Sequence, residues 1–328
     1  MTKGLLRGMA AGLVLTAPMA GLPAVAFGQS PTGQPGTGAP QAVFRSAVEV
    51  VTVSAAVRNG KGRVIQNLKK EDFELYDSGK RADIKDVYFG DSPISLAILL
   101  DISGSMAVGG NIDRAREAIG MLSGNLRDAQ DEAALFTFDS KLQEVVGFTS
   151  DLQRVRARSL AGKPWGITSL FDAIEETARL VGERANKHRA LLVITDGVDT
   201  GSKLTPAQVS GVASSIDVPV YLLAVVNPAD HPDGEFQARP TDAKTSQQGE
   251  LADLARWTGG DLRYASVPSH TVEAVRDILT ELRFQYLITF EPGARPGWHP
   301  IEIRTRKRDL TVHARGGYML WPLRSGSE

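Results

Sequence analysis

A chain of 328 residues is long enough for two domains, or for one with a substantial satellite. Its 37 Lys+Arg stand against 38 Asp+Glu, which removes any bulk electrostatic case for a nucleic-acid partner. The absence of cysteine excludes a disulfide scaffold, a zinc–thiolate site, a thiol nucleophile and a lipid anchor on Cys.

At the N-terminus Lys3 and Arg7 precede a mostly apolar run, Met9 to Phe27, that ends in Ala24-Val25-Ala26. Basic start, apolar middle and small-residue end are the layout of a cleaved export signal. Pro18 and Pro23 interrupt the run and leave it short for a spanning helix. Residues 1–28 are therefore expected to be a signal peptide, which makes the protein periplasmic or secreted, with no stable membrane span after cleavage. Residues 29–41 are Gly, Pro, Ser, Thr and Gln with almost nothing to bury, and are expected to be a disordered linker.

Residues 42–92 read as a small β module. Ala47 to Val57 is rich in Val and Thr, Asn59-Gly60-Lys61-Gly62 is a strong turn signal, and Phe73 to Asp77 alternates. A second turn at Asp77-Ser78-Gly79-Lys80 leads to a further strand over Asp83 to Phe89. So few residues hold too small a core to stand alone.

From 93 to 284 strands alternate with helices. Ile94-Ser95-Leu96-Ala97-Ile98-Leu99-Leu100 and Ala190-Leu191-Leu192-Val193-Ile194 read as strands buried on both faces, the mark of central strands in a parallel sheet. Ile112, Ala115, Ile119, Leu122 and Leu126 recur at helical spacing. Asp139-Ser140-Lys141 fits a hairpin between two strands, and Thr205-Pro206 an N-cap with proline in the first turn. Asn227 to Glu250 is expected to be a long loop beside the functional edge, with a helix beginning at Leu251. Residues 285–323 return to β structure and are expected to pack with the N-terminal β module; 324–328 form a tail. The fold class is α/β: a doubly wound, mostly parallel central sheet with helices on both faces, plus a small β-sandwich-like lobe from the N- and C-terminal segments.

Three fragments carry chemistry. The strand ending at Leu100 runs into Asp101, Ser103 and Ser105, with Gly104 expected to allow a sharp turn. Such strand ends are where ligands bind in open α/β sheets, and an Asp with two hydroxyls offers hard oxygen ligands for a magnesium-type cation. The same spacing also occurs in ordinary turns, where Asp and Ser bond nearby backbone N–H groups. Ile194-Thr195-Asp196-Gly197 ends the second buried strand and brings Asp196 to the same edge. Trp165-Gly166-Ile167-Thr168-Ser169-Leu170 enters a helix there and offers the Thr168 hydroxyl.

Together these fragments resemble the metal-ion-dependent adhesion site of von Willebrand factor type A domains, and the strand–helix order matches over residues 94 to about 284. The flanking Glu71-Asp72-Phe73-Glu74 and Arg315-Gly316-Gly317-Tyr318 are similar to bacterial exported relatives of that type. The resemblance implies a Mg2+ ion (Mn2+ or Ca2+ in its place) held by Ser103, Ser105 and Thr168 through hydroxyls and by Asp101 and Asp196 directly or through water. It further implies a partner protein that donates an Asp or Glu carboxylate to the metal. Asp199 is read as an orienting hydrogen-bond partner or a solvated loop residue, and Trp165 as a rim anchor or a core residue.

The expected function is an exported, metal-dependent protein-binding or adhesion module, and not an enzyme. Alternatives are a metal-dependent hydrolase, or an envelope protein whose metal site only braces loops. A phosphorylated-Asp hydrolase would want a second Asp where Ser103 stands, and there is no Gly-x-Ser-x-Gly elbow. His188, His231, His270, His299 and His313 show no metal-ligand spacing and read as surface residues.

Overall fold

The computed structural model describes residues 50–228 and 243–321. The expected signal peptide, the linker and the 324–328 tail lie outside the described residues, as do His231 and residues 229–242 of the expected loop.

Four strands open the described chain: β1 (Val51–Asn59), β2 (Phe73–Asp77), β3 (Lys80–Ala82) and β4 (Ile84–Phe89). The alternating part follows as β5 (Ile94–Asp101), α1 (Asn111–Asn125), β6 (Glu132–Phe138), β7 (Leu142–Thr149), α2 (Leu152–Ser159), α3 (Leu170–Gly182), β8 (His188–Thr195), α4 (Pro206–Ser215), β9 (Val220–Val225), α5 (Ala243–Thr258), β10 (Leu262–Ala265) and α6 (Pro268–Arg283). Four strands close it: β11 (Tyr286–Phe290), β12 (Gly297–Thr305), β13 (Leu310–Ala314) and β14 (Gly317–Leu320).

The central sheet runs β10-β9-β8-β5-β6-β7, parallel throughout except for the antiparallel β7 at one edge. Every residue of β5 is buried. Leu96, Ile98 and Leu100 face a core built with Ile119 and Leu122 of α1 and Val275 and Ile278 of α6. Ala97 and Leu99 face the opposite core, with Ile174 and Val181 of α3 and Leu254 of α5. A strand whose alternate residues feed two separate cores must be apolar on both faces, which is why its sequence does not alternate. Each buried Leu or Ile contributes about 1.5–3 kcal/mol relative to exposure. This is the doubly wound α/β class that the sequence indicates.

Helix ends follow local chemistry. Asp151 caps α2 by accepting from the Arg154 N–H at 3.1 Å. Thr205 and Gln208 cap α4 reciprocally, with Pro206 in the first turn. One boundary differs from expectation: α5 begins at Ala243, so residues 243–250 are helix and not loop. That stretch has no apolar period to announce a helix. It has no proline either, and propagation from the buried Leu251, Leu254 and Ala255 is cheap once that turn is formed.

The strands from the two chain ends build two antiparallel four-stranded sheets, β13-β1-β11-β4 and β14-β12-β2-β3. Val53, Val57, Phe73, Leu75, Ile288, Phe290 and Ile303 fill the space between them. Tyr286 lies in the same core, its hydroxyl donating to the Ile65 carbonyl at 2.9 Å and accepting from the Leu68 N–H at 3.1 Å. Pro300 stands inside β12 without breaking it, because there the strand changes partner from β14 to β2. The lobe meets the α/β part through two arginines. Arg315 donates to the carbonyls of Ser214 and Thr52, both at 2.7 Å, and lies 3.3 Å from Asp217. Arg58 pairs with Asp261 at 2.8 Å and with Glu281 of α6.

Candidate metal centre

Along the chain, β5 is followed by β6 on one side, and β8 then returns to the other side of β5. The carboxyl ends of β5 and β8 therefore flank the point where the winding reverses, the place in such sheets where a crevice opens. Asp101 ends β5 and Thr195 ends β8, with Asp196 next in the chain. The Thr195 hydroxyl donates to Asp101 Oδ2 at 2.6 Å, and the Ser103 N–H donates to Asp101 Oδ1 at 2.8 Å. Asp101 itself is fully buried. Burial pushes its carboxyl up to about 6; the hydrogen bonds from Thr195 and Ser103 oppose that rise, and the nearby charge of Asp196 adds to it.

Past Asp101 the chain turns into tight helical turns over Gly104–Gly110. The Ser103 and Ser105 hydroxyls lie 3.1 Å apart, Ser103 buried and Ser105 half-buried. Gly104 stands in the expected turn, which the Met106 N–H closes on the Ser103 carbonyl at 3.1 Å, but the turn does not require glycine. Gly104 is not among the residues with positive φ, and a Cβ there would meet the Gly166 carbonyl at 3.4 Å, an ordinary contact. What its backbone does is bind the second loop: the Gly104 N–H donates to the Gly166 carbonyl at 3.1 Å, and the Trp165 N–H to the Ile102 carbonyl at 2.8 Å.

These bonds lay residues 165–168 against the Asp101 loop. Thr168 is buried, its N–H donating to the Thr200 hydroxyl at 3.0 Å. Its carbonyl accepts from the N–H groups of Thr200 at 3.0 Å and Gly201 at 2.8 Å. Asp199 is a loop clasp: Oδ1 accepts from the Leu170 N–H, the first residue of α3, at 2.8 Å and from the Ser202 hydroxyl at 2.5 Å. The side chain of Asp196, half-buried, accepts from the Val198 N–H at 3.3 Å. The structure thus brings Asp101, Ser103, Ser105, Thr168 and Asp196 to one edge, and every side-chain donor atom in that set is a hard oxygen. Asp199 stands one step behind, holding backbone.

Around this edge three large apolar side chains are exposed: Trp165 at 82 %, Val108 at 65 % and Ile167 at 56 %. Trp165 is not a core residue. The histidines depart from their surface reading in two cases. His188 opens β8 opposite Ile94 and His299 lies inside β12, and both are buried. The run of apolar residues begins only at Ala190, so sequence pattern gives no hint that pairing extends back to His188. Sequence reasoning also missed the supporting groups Thr195, Thr200 and Ser202; only Thr195 had a signal, its place between a buried strand and Asp196.

A second set of ligand-type atoms, from Asp261, Glu281 and His313, lies within 4.8 Å of one another at the junction with the lobe. Arg58 already supplies positive charge to Asp261 and Glu281 there, so the set reads as an ion-pair hub. Its members come from four separate elements or loops, which is why no motif announces it.

The profile of the von Willebrand factor type A domain matches residues 96–198, the stretch that carries all five candidate ligands. Solved structures with a similar fold include a von Willebrand factor type A protein from Catenulispora acidiphila, 11% identical, covering 86% of this chain and 76% of that one at a TM-score of 0.47. Another is the conserved hypothetical protein BatB from Bacteroides thetaiotaomicron, 19% identical, covering 57% of this chain and 98% of that one at a TM-score of 0.46. A third is the vWF domain of the type V pili tip protein Mfa5 from Porphyromonas gingivalis, 18% identical, covering 34% and 40% at a TM-score of 0.30. No curated protein matches the chain. No helix among the described residues is long and apolar enough to cross a membrane.

Proposed function

We propose that the chain is an exported binding module whose von Willebrand-type site holds a magnesium-type cation and captures a carboxylate of a partner protein. Ser103, Ser105 and Thr168 would hold the ion through hydroxyl oxygens, with Asp101 and Asp196 supplying charge directly or through water. The observation that carries this reading is the convergence of two aspartates and three hydroxyls at the switch point of the sheet, with Asp101 fully buried and another carboxylate as its charged neighbour. A buried carboxylate with a second, half-buried one near it is relieved when a cation joins them.

The donor set fits magnesium. All its atoms are oxygens, and two carboxylates only balance the ion's charge while hydroxyls donate weakly. The bound ion therefore keeps an appetite for one more anionic oxygen, which a partner's Asp or Glu supplies. The exposed Trp165, pinned to the Asp101 loop through its backbone, offers an anchor beside that contact.

The placement of the histidines is the support for reading a binding role over catalysis. Hydrolysis would want a general base near Asp101. Among the described residues, His188 lies at the start of β8, the opposite edge of the sheet, and His299 and His313 belong to the lobe. His270 follows the outermost strand β10, three places from β5 in the sheet order, and is bonded to Ser266.

Capture of proteins from an envelope extract, with magnesium and with EDTA, tests the proposal. Partner capture is expected with the metal only, and is expected to vanish in Asp196→Asn. Retention in EDTA would sink it. Turnover of a phosphoester or ester panel that depends on Ser103 would favour a hydrolase instead.

A further inference from the structure

On the flank of the α/β part a groove of about 590 Å³ runs beside α4 between α5 and β12. Trp257 of α5 and Trp298 of β12 are its aromatic walls. Both indoles are seated by design of the backbone. Trp257 lies on Gly316 and Trp298 on Gly317, where a Cβ would come within 2.2 Å and 2.3 Å of ring atoms. Only glycine fits under either ring, so two successive positions are given up to hold them. Yet the two residues stay 51% and 40% exposed. Fixed aromatic surface left open in this way marks a place where something binds.

The polar side chains of the groove decide what that is. Ser210 gives its hydroxyl proton to the Pro206 carbonyl and Ser214 gives its own to the Trp257 carbonyl, both at 2.8 Å. Glu250 and Asp253 contribute carboxylates, and Asp253 is paired with Arg256. Apart from the two indole N–H groups, the described polar side chains of the groove are left as acceptors, since Thr205 too gives its hydroxyl proton away, to Gln208 Oε1, and Glu250 leaves the described charge negative.

A ligand that suits this groove gives hydrogen bonds, accepts none, carries positive charge and has a flat face to lay on an indole. A guanidinium meets all four conditions: five donors, no acceptor, permanent charge, and a planar group that stacks on aromatic rings. An ammonium lacks the flat face. A sugar hydroxyl can donate to a carboxylate but carries no charge to answer Glu250. The volume is that of sites enclosing drug-sized ligands, which leaves room for a side chain with its flanking backbone. We propose that this groove binds the guanidinium of an arginine side chain presented by a peptide segment of another protein.

The test follows the indole N–H signals of the full chain by NMR during titration with acetyl-Gly-Arg-Gly-amide. Counterparts carry citrulline or lysine in place of arginine, and free L-arginine and maltose complete the panel. The arginine peptide is expected to shift the Trp257 and Trp298 signals and to bind at least about tenfold more tightly than the citrulline peptide, one unit in log affinity being about 1.4 kcal/mol. Binding should weaken with salt, and Glu250→Gln and Asp253→Asn, both at exposed positions, should each reduce it several-fold. EDTA should leave it unchanged, which separates this site from the metal edge. Equal binding of the citrulline peptide, a response to maltose alone, or no shift with any ligand would overturn the proposal. Free L-arginine binding as tightly as the peptide would overturn the polypeptide source.

Discussion

Thr195 and Asp101 end neighbouring parallel strands, and the hydroxyl of the first donates to the carboxylate of the second at 2.6 Å. The bond ties the two strand ends that carry the candidate metal site, inside a region closed to solvent. Thr195→Val keeps the shape and removes the donor. The buried carboxylate then loses one of its compensating bonds, at a cost of about 1–3 kcal/mol. Thermal unfolding should show the loss, together with weaker magnesium binding by calorimetry. An unchanged melting temperature would mean that Asp101 does not depend on this bond.

Magnesium should stabilise the fold by mass action. At a concentration one hundred times the dissociation constant the gain is about 2.7 kcal/mol. For a chain of this size that is a rise of several degrees in melting temperature. Asp196→Asn should abolish the rise while leaving the metal-free melt near the wild-type value, since Asp196 is only half-buried. A full magnesium response in that variant would remove Asp196 from the site.

At the junction between the α/β part and the lobe, Arg58 stands between Asp261 and the fully buried Glu281. Arg58→Met removes the guanidinium paired with Glu281 and should destabilise the protein by about 3–5 kcal/mol, the range for breaking a buried pair. Adding Glu281→Gln should recover a large part of that loss. A double variant no more stable than Arg58→Met would show that packing, not charge, sets the cost. Denaturant melts of the wild type, Arg58→Met, Glu281→Gln and the double variant provide the comparison.

The lobe should show a pH dependence of its own. His299 Nδ1 lies 2.9 Å from Asp77 Oδ1 and its Nε2 2.6 Å from the Arg295 carbonyl, two acceptors that ask for two N–H groups. Burial works against the imidazolium, but the Arg295 carbonyl and Asp77 outweigh it and hold the pKa above the ordinary 6.5. For Asp77, burial works the other way, yet bonds from His299, Gly293 and Tyr318 keep its pKa below the ordinary 3.8. A raised imidazole stabilises fully below 6.5 and loses that contribution as pH climbs through its folded value; a depressed carboxylate stabilises above 3.8 and loses it as pH falls. The pair therefore contributes most between about pH 4 and 6.5. Stability measured from pH 6.5 upward should decline in the wild type and flatten in His299→Gln. Parallel curves would show that His299 is neutral in the fold.

Much of this arrangement was legible in the sequence because its signals are local. The unbroken apolar run of β5, the Asp-x-Ser-x-Ser that follows it and the Thr-Asp-Gly after β8 each declare themselves within a few residues. The Thr205-Pro206 helix start does so too. What escaped notice depends on contacts between distant segments. Asp199 looks like any loop carboxylate until the Leu170 N–H is seen to bond to it. His188 looks exposed until Ile94 is placed opposite. The start of α5 escaped because its first two turns carry no apolar stripe. The turn at Gly104 is legible, but not the N–H it offers to Gly166. The hub of Arg58, Asp261, Glu281 and His313 has no linear pattern, since packing alone assembles it.

The partners of β1 add a constraint on timing. It is bracketed by β11 and β13, both synthesised only after the whole α/β part. Until then, β1 to β4 carry open edges that invite pairing with another chain. A nascent or truncated polypeptide ending at α6 should therefore aggregate through its front end, even with its α/β middle already folded. The order of synthesis leaves closure of the lobe to its last strands.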